Sequence, residues 1–133
     1  IEALRKAYAG RREVSVFVEI WHEPLMTVNA GHLITEVMSL CGARNVFADA
    51  PTLTAVVSRE QLYARQPAAV LTTAFLDDES MRAGWAGFGA LRAVRDGALF
   101  RIDADLLTRL GPRLAEGAAQ VCERVEALRN RLP

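Results

Sequence analysis

Four kinds of residue in this chain carry chemistry worth weighing. They are two cysteines, two histidines, some carboxylates placed beside loops, and a tryptophan at the end of an apolar run. Cys41 closes the stretch GHLITEVMSLC, and Cys122 lies within PRLAEGAAQVCERVEALRNRL, each on the apolar side of a helical pattern. In a reducing compartment two such thiols pack as small apolar residues. In an oxidising one they can bond to each other. The residues alone leave both open. His22 and His32 could ligate a metal or a haem iron. Two histidines with no Cys or carboxylate cluster nearby make a poor zinc signature, however. Their plainer places are a solvated loop for His22 and a helix start for His32. Glu23 beside His22 suggests an acid–base pair, but no nucleophile and no third, orienting group accompanies it. No G-x-G-x-x-G follows the first strand and no G-x-x-x-x-G-K-[ST] occurs. An enzyme domain holding a nucleotide at a sheet edge would want one of these phosphate cradles.

Elements must hold these side chains, and the chain alternates between strand and helix patterns. IEALRKAYAG reads as the last turns of an amphipathic helix, with Ile1, Leu4, Ala7 and Tyr8 on one face and a stop at Gly10. Val14 to Trp21, VSVFVEIW, is apolar at nearly every position, as a strand covered on both faces should be. Glu19 interrupts it. HEPLMTVNAG is expected as the loop at the strand's carboxyl end, where open α/β sheets bind ligands. The next helix should bury Leu33, Val37, Leu40 and Cys41, and Gly42 suits the left-handed residue that closes a helix. Asn45, Val46 and Phe47 form a short apolar step. Asp49 to Thr54 is expected to be irregular, because Pro51 removes a donor and restricts Ala50.

Ser58 with Gln61 is a capping box. Pro67 ends that helix, and AAVLTTA is a buried strand. DDESMRAGWAGF is a helix with acidic residues in its first turn and a loose end at Gly84, Gly87 and Gly89. A turn at Asp96-Gly97 leads into a strand from Ala98 to Ile102. Gly111-Pro112 opens a last helix, with Leu114, Ala118, Val121, Cys122, Val125 and Leu128 on one side. Strands alternating with helices imply a parallel sheet. The expected fold class is α/β: a single Rossmann-like lobe whose short, mostly parallel sheet is flanked by helices.

The 133 residues fit one domain, and a chain of this size buries roughly two-thirds of its unfolded surface. The 16 basic and 16 acidic residues cancel, so the basic face of a nucleic-acid binder is not expected. No apolar run approaches the ~20 residues of a membrane span. There is no signal-peptide pattern, and the chain begins at Ile1 inside a helical pattern. A fragment of a longer protein is expected.

The stretches CGARNVFAD and VSREQLYARQPAAVL resemble the second lobe of periplasmic substrate-binding proteins serving ABC importers. Within that class they resemble the helical-backbone group that carries cobalamin, haem and iron–siderophores, and there the vitamin B12 binders above all. The likeness runs without gaps from about Ser15 to Leu71. It is looser to Arg101 and returns from Asp105 to Cys122.

The resemblance implies that residues 1–10 end an inter-lobe helix and that 11–133 form a C-terminal α/β lobe, the N-terminal lobe lying elsewhere. It implies a periplasmic (or extracellular, membrane-associated) binding protein, not an enzyme. Such a protein captures cobalamin or a related corrinoid and delivers it to a permease dimer. The corrinoid is cargo, and no cofactor and no metal site are implied. Haem or iron–siderophore capture is the alternative within the class; a nucleotide-binding enzyme domain and a free-standing interaction module are the alternatives outside it.

Cys41 and Cys122 match paired cysteines in such relatives, which implies a disulfide. A large, flat, largely apolar ligand needs apolar and aromatic walls, and Trp21, Met26, Leu53 and Thr54 are the candidates. Met26 and Thr54 stand where relatives often carry aromatic residues; Trp21 could supply that surface, or could belong to the core. Asp105 and Arg109 match positions that reach polar ligand groups, with Asp103 one pleat away. Either aspartate could instead cap the helical turn before Leu106. Glu60, at the start of the helix opened by Ser58, matches a carboxylate that docks onto a permease arginine; without the resemblance it is an ordinary helix-start acid.

Overall fold

The strand β1 (Val14–Glu19) forms where the chain is richest in β-branched residues, and it becomes the sheet's spine. In the computed structural model, which describes residues 2–106 and 113–131, β1 is hydrogen-bonded on both sides. β3 (Ala43–Asn45) flanks it on one side and β5 (Ala69–Thr72) on the other; β6 (Leu99–Arg101) completes the order β3-β1-β5-β6. All three pairings are parallel. Val14, Val16, Phe17 and Val18 are fully buried, as are Ala69, Val70 and Leu71. This is the two-sided burial their continuous apolar character demands. The α/β lobe with a parallel sheet is therefore the observed fold.

Helices surround the sheet. α1 (Glu2–Tyr8), α2 (Leu33–Leu40) and α6 (Leu114–Arg129) pack together, while α4 (Asp78–Trp85) contacts β6 and α5 (Arg92–Arg95) contacts β5. α3 (Arg59–Arg65) opens on the capping box: Ser58 Oγ accepts from the Gln61 N–H, and Gln61 Oε1 accepts from the Ser58 N–H. Gly42 takes positive φ after α2, as expected. α2 and α6 are joined by a disulfide between Cys41 and Cys122, 81 residues apart in sequence and with Cα atoms 4.8 Å apart. Arg129 strengthens the same seam. Its guanidinium donates to the carbonyls of Arg12 and Cys41 and pairs with Glu126.

The structure corrects several local expectations. HEPLMTVNAG is not all loop: β2 (Met26–Val28) pairs antiparallel with β4 (Thr54–Val56) in a separate ribbon. Three residues are too few to show a period, and the partner that stabilises each strand is distant in sequence. The apolar step at Asn45 is the end of β3, and LRAVR holds the short helix α5. β1 ends at Glu19, short of Trp21. On α2 the fully buried residues are Ile34, Thr35, Val37 and Met38, with Leu33 and Leu40 half-buried. Leu33 and Leu40 instead line a cleft of about 750 Å³ shared with Tyr8 of α1. Gly84 is no loose end, as it lies inside α4 where a Cβ would fall 2.6 Å from the Phe75 ring. The opening of the last helix at Gly111-Pro112 lies outside the described residues.

Candidate functional site

The chain runs from β1 outward to β3, then crosses back over β1 to β5 and β6. Strand order thus reverses between β1 and β5, and in open α/β sheets the crevice beyond the carboxyl ends of such a pair is the natural ligand position. Here the molecule's own side chains fill it. Glu19, the last residue of β1, is fully buried. Its Oε1 accepts from Trp85 Nε1 at 3.0 Å, and its Oε2 lies 2.7 Å from His22 Nδ1. His22 Nε2 lies 2.9 Å from the Gly84 carbonyl of α4. A carbonyl only accepts, so Nε2 carries a proton and donates. The imidazole also meets the rings of Phe75, Trp85 and Phe88 at centroid distances of 5.0, 5.6 and 5.9 Å.

His22 is therefore neither the solvated loop residue expected from sequence nor an available metal ligand. His32 is used as well. It caps α2, its Nδ1 accepting from the Ile34 N–H at 3.1 Å, and partial burial lowers its pKa by disfavouring the charged ring. Among the described residues no group of three His, Cys, Asp or Glu could hold a metal ion. The His22–Glu23 acid–base pair does not form either: His22 bonds Glu19, and the Glu23 carbonyl accepts from the Trp21 indole.

With the crevice filled, the exposed surface moves outward to the ribbon. Trp21 is 58 % exposed, so it is not core. It bridges to Met26, which pairs with Val56. Residues directly opposite across strands share a face, so Trp21, Met26 and Val56 form one row. Thr54 lies two residues along β4, opposite Val28, and Leu53 precedes it. Leu53 and Val56 are 53 % and 61 % exposed. The loop from Ala48 to Leu53 is held from below. The Arg65 guanidinium donates to the Val46 carbonyl at 2.6 Å, pairs with Asp49 and lies over the Phe47 ring.

Beyond β5, Leu76 is 94 % exposed just before Asp77, the N-cap of α4. Beyond β6, Asp105 is exposed on a 3₁₀ turn (Ala104–Leu106). Its N–H donates to Asp103 Oδ1 at 3.0 Å. Asp103 is thus the capping aspartate; both aspartates are exposed, and the Asp105 carboxylate is not used in the cap. Arg109 lies outside the described residues. Glu60 is exposed in the first turn of α3.

Sequence reasoning passed over Val56 and Leu76. An apolar residue directly before a helix N-cap, four residues past the end of a buried strand, was the signal for Leu76. The 750 Å³ cleft between α1 and α2 lies instead beside Gly10 and Gly42, at the amino ends of β1 and β3.

The arrangement is an apolar surface beside a crevice occupied by His22 and the rings packed on it, with the exposed Asp105 carboxylate beyond β6. It can present a wall to a large, flat ligand. No protein-family model matches the chain. It is 34 % identical over 124 residues to the vitamin B12-binding protein of Vibrio cholerae serotype O1, a match covering 92 % of this chain and 44 % of that protein. The crystal structure of a periplasmic vitamin B12 binding protein of Vibrio cholerae superposes with a TM-score of 0.84 at 31 % identity, over 96 % of this chain and 49 % of that one. A periplasmic haem binding protein from Pseudomonas aeruginosa superposes with a TM-score of 0.72 at 29 % identity, over 91 % and 44 %. The chain spans about half the length of the relatives it matches. It is homologous to that half of the vitamin B12-binding proteins, and it folds as one lobe of a substrate-binding protein.

Proposed function

We propose that this chain is the C-terminal lobe of a periplasmic substrate-binding protein that captures cobalamin, or a related corrinoid, for an ABC importer. The observation that carries the proposal is the row of exposed Trp21, half-buried Met26 and exposed Val56, with Leu53, Thr54 and Leu76, at the carboxyl edge of a lobe homologous to vitamin B12 binders. Apolar and aromatic walls with a few polar groups suit a corrin. Asp105, with Arg109, serves the ligand's amide rim. The corrinoid is cargo and no cofactor is involved. α1 is the end of the helix leading from an N-terminal lobe, which supplies the second wall. A buried disulfide accords with an oxidising compartment such as the periplasm. No described helix is long and apolar enough to cross a membrane.

Haem or iron–siderophore capture is the second proposal, favoured by the structural likeness to haem binders. Against haem, both histidines are committed within the fold, and haem wants an axial ligand. A nucleotide-binding enzyme domain is disfavoured because His22, Phe75, Trp85 and Phe88 fill the crevice a nucleotide would use. The test is ultraviolet–visible titration of the full-length protein with cyanocobalamin and with haemin. A saturable, one-to-one corrinoid change is expected; a Soret shift with haemin and none with cobalamin would move the assignment to haem.

Glu60 is the proposed permease contact, its carboxylate meeting an arginine of the importer. In the full-length protein Glu60→Arg should leave cobalamin affinity unchanged and impair uptake. Normal uptake at normal expression would reduce Glu60 to a helix-start acid.

A further inference from the structure

We infer that His22 is the positioning residue of Trp21: it sets the orientation of the aromatic wall without touching the ligand. The inference rests on the proposal that the Trp21 face receives the ligand. Trp21 and His22 are adjacent in sequence and point to opposite sides, the indole outward and the imidazole into the crevice. They begin a turn closed by two backbone bonds, Ile20 N–H to the Met26 carbonyl and Met26 N–H to the Trp21 carbonyl, both 3.0 Å. Two side chains anchor this turn to the body. One is Leu25, buried in the core; the other is His22, bonded to both Glu19 and Gly84.

Between these anchors lie the exposed Glu23 and Pro24. The Glu23 carbonyl accepts the indole N–H of Trp21 at 3.1 Å. The ring plane offered to solvent therefore depends on where that carbonyl is held, and His22 is its nearer anchor. An imidazole suits the task because it bonds in two directions at once, to β1 through Nδ1 and to α4 through Nε2. The β1 turn and the helix after β5 are thus tied across the point where the strand order reverses. Glu19 fixes the ring: its second oxygen is held by Trp85, so the carboxylate cannot rotate away without losing that bond.

The test uses the full-length protein and two readouts. Cyanocobalamin affinity is measured by calorimetry for wild type, Trp21→Ala, His22→Phe and the double variant. His22→Phe keeps an aromatic ring in the crevice and removes both hydrogen bonds. It should weaken binding about tenfold, with little further loss when Trp21 is already alanine, since a residue acting through another is non-additive with it. His22→Gln keeps amide N–H donors that can reach the Gly84 carbonyl or the Glu19 carboxylate, and should recover part of the affinity. The second readout is hydroxyl-radical oxidation resolved to the Trp21 peptide, with no ligand present. His22→Phe should raise the oxidation of Trp21 while buried Trp85 stays protected. Equal losses in the two backgrounds, or unchanged Trp21 oxidation, would overturn the inference. If wild type binds no cobalamin, the ligand proposal fails while the oxidation readout still decides the positioning. If His22→Phe does not fold, His22→Gln carries both measurements, with smaller changes in the same direction.

Discussion

Glu19 stands where a buried strand would ordinarily carry a hydrocarbon. Its burial is sustained by two partners, the Trp85 indole N–H on one carboxylate oxygen and the His22 imidazole on the other. The pair is therefore costly to break from one side: removing one partner of a buried pair costs about 3–5 kcal/mol, because the other group is left uncompensated. Glu19→Leu should destabilise by about that amount, measured by urea unfolding, through the stranded imidazole and indole N–H groups. Glu19→Gln should be far milder. Its carbonyl still accepts from Trp85, and its amide can donate to Nδ1 of a neutral His22 that keeps its Nε2 proton for Gly84. Similar losses for Leu and Gln would mean that charge, not hydrogen bonding, holds the site.

Two helices are started by side chains that accept from backbone N–H groups and titrate. At α2, His32 Nδ1 accepts from Ile34, and burial lowers the histidine pKa. At α4, Asp77 Oδ1 accepts from Ser80 at 2.7 Å; that bond is the main cause of the lowered Asp77 pKa, with Arg101 and Arg82 assisting. In both cases the folded pKa lies below the unfolded value, so the unfolded chain binds more protons in the window between. Stability is then complete above the unfolded pKa and is lost as pH falls through the folded one. The windows are separate, below about 6.5 for His32 and below about 3.9 for Asp77. Thermal melts should therefore show a decline in two steps on acidification, and His32→Ala should abolish the upper step. A melting temperature that stays flat from about pH 7.5 to 5 would show that the His32 cap contributes nothing to stability.

At the scale of the molecule, the disulfide closes a loop of 81 residues between α2 and α6. The chain-entropy model gives about 4–5 kcal/mol for such a loop, with strain subtracting from it. Reduction, or Cys122→Ala, should lower the urea midpoint accordingly. Arg129, tied to the Arg12 and Cys41 carbonyls, keeps the α2–α6 seam closed by other means, so loss of the native fold is not expected in mild conditions. An unchanged midpoint under reductant would show that the bond contributes little. A single lobe also offers one wall. If a second wall contributes about 4 kcal/mol, this chain alone should bind cobalamin roughly a thousandfold more weakly than the two-lobe protein. Calorimetry on both under identical conditions checks this, and equal affinities would place the whole site within this lobe.

Much of this architecture was legible before any coordinates. Val14 to Val18 and Ala69 to Leu71 announce two-sided strands because nearly every position is apolar and a parallel sheet buries both faces. Ser58 and Gln61 announce their capping box because it is a local bond, three residues long. The pairing of Cys41 with Cys122 came from resemblance, since spacing alone does not choose a partner. The Met26–Val28 and Thr54–Val56 ribbon was not legible. Each strand is three residues long and gains its stability from a partner far along the chain. Trp21 could have been core or surface, and tertiary structure put it outside because β1 stops at Glu19 and His22 turns inward in its place. The triad of Glu19, His22 and Trp85 joins residues 66 positions apart. Local preference acts over a few residues and is written in their order. A buried polar contact across the sheet exists only once the strands have chosen their neighbours, and that choice also decided which face of this lobe is open.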